Sequence, residues 1–217
     1  MNMHFRTSFR DPYTTLDQVT GTRQGAISRI LTMNDIFFWG GDAFISVVLA
    51  LFIVTFIEGA TVQHVGIAFM IRILVQAVCA IPIGKYFDAH KGLSDEVYGL
   101  TVTTFCCGLA HVLLGFATHM WEVYLAMAAI GVIVAFDHSS WRILFFSSVS
   151  RHYIGKLNGL HDTYYAVGLA LCLVLAGFVG ESIGYDKTIM AGGFFIMAGS
   201  FLPLMLRGFI GRRKLHE

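Results

Sequence analysis

Six apolar runs, each close to the length of a membrane, constrain this chain more than anything else in it. They lie at about Ile36–Ile57, Val65–Ile83, Val97–Ala117, Val123–Phe146, Tyr165–Val179 and Thr188–Leu206. A helix needs roughly 20 apolar residues to cross a bilayer, and most runs reach that length. The fifth is short, but His161–Tyr164 extends it. Lipid offers no hydrogen bonds, so a spanning backbone must satisfy its own polar groups. Apolar runs this long read as helices. The chain is 56% hydrophobic and 13% charged, where soluble domains carry about 25% charge, and its mean hydropathy is +0.68. The expected fold is an all-α integral membrane bundle of six transmembrane helices. It divides into a polar cytoplasmic segment at 1–33, a transmembrane domain at 34–209 and a basic cytoplasmic tail at 210–217.

Basic residues set the expected orientation, because cytoplasmic loops retain Lys and Arg. Arg6, Arg10, Arg23 and Arg29 precede the first run, Lys85 and Lys91 follow the second, and Arg151 and Lys156 follow the fourth. Arg207, Arg212, Arg213 and Lys214 follow the sixth, whereas the other three loops hold only Lys187. Both termini are therefore expected in the cytoplasm, with the protein in an inner or plasma membrane. Trp121, Tyr124 and Tyr185 fall at outer helix ends, as interfacial anchors do. The first 33 residues lack the apolar core of a cleavable signal. Topology already explains the basic loops, so no nucleic-acid partner is expected. The cysteines Cys79, Cys106, Cys107 and Cys172 all lie in apolar runs, which argues against a disulfide framework.

Four charges fall inside spans: Asp42, Arg72, Asp137 and Arg142. Each costs about 2.5–3.5 kcal/mol at a helix centre, so they should face the bundle interior, a partner or a wet cavity. Asp42 and Arg72 lie at similar depths on adjacent antiparallel helices and form the natural ion pair, with Gln76 one turn beyond Arg72. The fourth run carries DHSSWR. There Asp137 shares a face with Trp141, and His138 with Arg142. A carboxylate beside an imidazole is what proton relay requires, since histidine titrates near neutral pH. Arg142, near the cytoplasmic end, also reads as a snorkelling side chain. His111 reads as a packing histidine and the His161-Asp162 pair as interfacial. Cys107 and His111 have metal-ligand spacing but no further ligands nearby, so no metal or other cofactor is expected. No phosphate loop, HExxH or GxSxG is present, and an enzyme is not expected.

The stretch IPIGKYFDAHKG, Ile81 to Gly92, carries a family resemblance. Gly84 and Asp88 four residues later, with basic His90 and Lys91, resemble the loop between the second and third helices of the major facilitator superfamily. That family has a basic residue where this chain has Ala89. Arg151, Gly155, Gly159 and Gly168 resemble the segment after the family's fourth helix, but the proline of its antiporter signature is missing. The resemblance implies one half of such a transporter, built as a 3+3 inverted repeat. It places helices 1 and 4, hence Asp42 and Asp137, on the central cavity. It pairs Asp88 with Arg142 or Arg151 in a conformational switch that also includes Gly84 and Lys91. It puts helices 2 and 5 at the junction between halves, where Gly66, Ala77, Ala80, Gly168 and Ala176 permit close packing.

The leading expectation is a secondary transporter of a small solute, with protons as candidate coupling ion. Its solute and proton pathway would use Asp42, Arg72, Gln76, Asp137, His138 and Trp141. Six helices do not enclose a path alone, so a second copy in a homodimer, or another six-helix half, is expected as partner. The first competing expectation is a non-transporting subunit that stabilises or assembles a larger membrane complex. The second is a membrane enzyme using Asp137 and His138.

Overall fold

The computed structural model describes residues 22–89 and 93–210. The helices are α1 (Arg23–Phe56), α2 (Val62–Ala89), α3 (Ser94–Leu114), α4 (Met120–Ser148), α5 (Ile154–Ile183) and α6 (Tyr185–Gly199). A 3₁₀ turn (Pro203–Leu206) and the short α7 (Arg207–Ile210) follow. No strand occurs among the described residues. Six segments are long and apolar enough to cross a membrane, the last being Tyr185–Phe209. The described residues are those of an all-α integral membrane protein.

The helices outrun the apolar runs that announce them. α1 starts at Arg23, where the Thr22 hydroxyl accepts the Gly25 N–H at 3.1 Å as an N-cap. Residues 23–33 therefore run without a break into the first apolar run as one helix. α2 continues through Pro82, Gly84 and Asp88 to Ala89, so most of the expected turn is helical. Proline removes one backbone donor from a helix, and membrane helices tolerate the loss where neighbours re-satisfy the backbone. His90, Lys91 and Gly92 lie outside the described residues, as does the tail from residue 211. α6 stops at Gly199, short of the expected Leu206, and Pro203 opens the 3₁₀ turn.

Gly59 (φ +71°) and Gly184 (φ +93°) make the turns into α2 and α6, a left-handed backbone that side chains resist. α1 packs mainly on α5 and α6, α3 on α4 and α6, and α2 on α4. The core is built from Phe38, Ile45, Leu49 and Phe52 of α1 with Met127 and Ile130 of α4 and Ile189 and Ile196 of α6. α2 and α5 lie outermost, with only Val65, Ala68, Arg72, Ile83 and Phe87, and Leu157, His161, Ala176 and Gly180, buried.

α3 and α6 touch backbone to backbone. A Cβ on Gly193 would sit 2.6 Å from the Gly108 carbonyl oxygen and 2.8 Å from the Val112 nitrogen. A Cβ on Gly108 would meet the Gly193 carbonyl and Met197 in turn. Neither backbone can yield as a side chain would, and overpacking of this kind costs about 1–3 kcal/mol. Gly193→Ala is expected to lower the melting temperature of the detergent-solubilised protein. Gly177→Ala, whose Cβ would meet nothing within 4 Å, should leave it unchanged or raise it. Equal melting temperatures for the two variants would refute this account of the α3–α6 contact.

Candidate functional site

α1 carries two aspartates on one buried face. Asp35 and Asp42 are two turns apart, about 10 Å along the axis at 1.5 Å per residue, and both are buried. Each anchors a polar cluster.

Around Asp42, the Arg72 guanidinium of α2 makes a two-pronged contact, Nη1 to Oδ1 and Nη2 to Oδ2, both at 2.9 Å. This geometry is the strong form of a carboxylate–arginine pair. Gly131 of α4 brings α2 in close, since a Cβ there would lie 2.5 Å from the Arg72 carbonyl oxygen. His111 of α3 also belongs to this cluster. Its Nδ1 lies 2.9 Å from the Cys107 carbonyl oxygen, which turns Nε2 toward Asp42 Oδ1 at 3.5 Å. His111 is thus a partner of the buried charge pair, where the sequence suggests packing alone.

Around Asp35, His161 of α5 places Nε2 3.5 Å from Oδ2. The other ring nitrogen lies 3.1 Å from Thr32 Oγ1. That hydroxyl gives its own proton to the Ser28 carbonyl at 2.8 Å, so it accepts from Nδ1–H. A proton between Nε2 and Asp35 then makes their contact attractive. His161 is only 7% exposed, because α5 begins at Ile154 and packs on α1.

Asp137 of α4 is fully buried. Its Oδ1 lies 3.4 Å from Thr103 Oγ1, a hydroxyl that also reaches the Gly99 carbonyl oxygen at 2.9 Å. Its Oδ2 and the Oδ1 of Asp35 have no hydrogen-bond partner among the described residues. His138 does not bond to Asp137. Its Nδ1 lies 3.3 Å from Gln76 Nε2 of α2, and its ring lies 4.9 Å from that of Trp39. A cleft of about 320 Å³ opens between α1, α4 and α5. Asp35 and Asp137 line it together with Trp39, Trp141 and Tyr165, and His138 and Arg142 complete the wall. Gln76 and His138 bridge between this cleft and the Arg72 face of α2.

The switch residues are not drawn together. Gly84 lies within α2 with open space where a Cβ would be. Asp88 is exposed and makes no ion pair with Arg142 or Arg151, which are also exposed. Lys91 falls outside the described residues. Among the described residues no three His, Cys, Asp or Glu side chains converge as a metal site requires. Sequence reasoning missed Asp35, Thr32 and His161. The signal for Asp35 was its seven-residue spacing from Asp42, which puts the two on one helix face.

The chain matches no model of a known protein family and no curated protein.

Proposed function

We propose that the protein is a secondary transporter of a small solute, working as a dimer of six-helix halves of the major facilitator type, with protons as the coupling ion. One observation carries this reading. Two buried carboxyls, on α1 and α4, line an open cleft, and each has an oxygen with no hydrogen-bond partner among the described residues. A charge that only fixes helix packing is tied to fixed neighbours, as Asp42 is. Unpaired polar atoms inside a membrane protein are expensive, and ones facing a cleft fit a ligand or proton that comes and goes.

The order of helix packing supports the half-transporter architecture. Exchanging the first three helices for the last three turns the α1–α5 contact into α4–α2. It turns α3–α4 into α6–α1 and leaves α3–α6 as it is. A 3+3 repeat has this symmetry. The outermost α2 and α5 are the candidate junction. On α2, Gly66, Ala77 and Ala80 are exposed. On α5, Gly168 abuts Ile36 and Ala176 is fully buried. Those two small residues therefore pack inward, which leaves Gly159 and Gly177 on the open face. Both copies would keep their termini in the cytoplasm under the charge rule, so a two-fold axis would run along the membrane normal.

Single cysteines at Ala80 and Gly177, introduced on a cysteine-free background, should cross-link into a dimer in native membranes. A monomer that moves solute in proteoliposomes would overturn the dimer. The competing role as a subunit of a larger complex draws on the self-contained Asp42–Arg72–His111 cluster. Co-purification with a different membrane chain, without solute movement in proteoliposomes, would favour it.

A further inference from the structure

We infer that the cleft between α1, α4 and α5 binds a small solute carrying a positively charged nitrogen. This takes the proposed transport path as given and names the class of solute. The cleft's unmet demand is mainly for donors, Trp141 Nε1 being the one buried donor of its lining without an acceptor among the described residues. Asp35 Oδ1 and Asp137 Oδ2 are acceptors with nothing donating to them among the described residues. Both side chains are more than nine-tenths buried. A ligand that completes them must bring N–H or O–H donors, and a cationic nitrogen also answers their charge.

The rest of the wall suits the same group. Trp39, Trp141 and Tyr165 present aromatic rings around the space, and aromatic faces attract cations, most strongly where water is excluded. The rings are braced from behind. Trp141 stacks on Phe145 at 4.9 Å and 9°, Tyr165 on His161 at 5.8 Å, and Trp39 lies against His138 at 4.9 Å. A box already held in place loses little entropy when it binds. The volume of about 320 Å³ lies at the small end of ligand sites and admits an alkylamine more readily than a lipid. Arg142 is the opposing charge. It is a single cation in a wall that also holds two carboxyls, whereas an anionic solute would have to approach both of those carboxyls.

The test is calorimetric titration of the purified protein in nanodiscs with butylamine, putrescine and choline, with butyrate and glucose as controls. At least one cation should bind, and butyrate and glucose should not. Asp35→Asn and Asp137→Asn should each weaken that binding about tenfold or more, the loss of one charge-assisted hydrogen bond. Trp141→Leu leaves both carboxyls in place and should also weaken it, while Arg142→Gln should not. Binding that is unchanged in the Asp137→Asn variant, or the absence of binding by any of the three cations, overturns the site. Two further outcomes separate this inference from the transporter reading. Cation binding without cation exchange across proteoliposomes overturns the transporter and leaves the site. Exchange of an anionic or neutral solute without cation binding does the reverse.

Discussion

Arg72→Met is expected to destabilise the folded protein by about 3–5 kcal/mol, the usual loss when one member of a buried ion pair is removed. The Asp42 carboxylate would stay in the membrane interior with His111 Nε2, 3.5 Å away, as its remaining partner. Asp42→Asn should be destabilising for the mirror reason, since it leaves the guanidinium without its counter-charge. The double variant should lose less than the sum, because neither charge is then stranded. Such a cycle isolates the pairwise interaction and can be measured by denaturant titration in mixed micelles. Strictly additive losses would show that the two side chains, despite their paired 2.9 Å contacts, do not support one another. Adding His111→Gln to the Arg72→Met background should produce a further loss larger than in the native background.

Asp137→Asn is expected to abolish solute accumulation driven by an imposed pH gradient. Gradient-free exchange should survive at higher solute concentrations, and the protein should remain folded. Of the acids lining the cleft, Asp137 has no basic partner among the described residues; its contact is with the Thr103 hydroxyl. Asp35 has His161 beside it. The other groups able to carry charge around the cleft are His138 and Arg142 on the same helix and Tyr165 on α5. Asparagine keeps the size and the acceptor toward Thr103 but cannot gain or lose the proton. Accumulation that depends on pH as in the native protein would remove Asp137 from the proton path. His138→Gln tests the neighbouring imidazole separately, since its bond runs to Gln76 on α2.

The six spans were legible because hydropathy reports what contacts lipid. Helix ends were not, because a helix that projects beyond the hydrocarbon is no longer apolar all round. α1 shows this. Its first turns carry Ile27, Ser28, Leu31 and Thr32 on the buried face, a spacing of three and four residues masked by the polar residues between them. Asp35 falls one residue before the apolar run that begins at Ile36, so hydropathy does not mark it. The pairing of Asp42 with Arg72 was legible because adjacent antiparallel helices bring equal depths together. His111 and His161 could not be assigned the same way. Their partners depend on which non-consecutive helices pack, and spacing along a single helix does not specify that. The same limit applies to helix 5: Gly168 and Ala176 have the composition of an interface, and only the α1–α5 packing shows which interface they serve.

That packing order also sets a problem for biosynthesis. The chief partner of α1 is α5, and that of α2 is α4, so, α3 and α4 apart, neighbours in the chain are not the chief neighbours in the bundle. A nascent chain that has delivered α1, α2 and α3 can form the Asp42 cluster early. Asp35 meets His161 only after more than half the protein has been made, and Asp137 arrives with α4. Until then a carboxyl on α1 waits in the bilayer or its insertion machinery without its partner. Contacts between residues this far apart form late, and the exposed intermediate is open to degradation. Chains truncated after α3 or α4 should turn over faster in cells than the full-length protein.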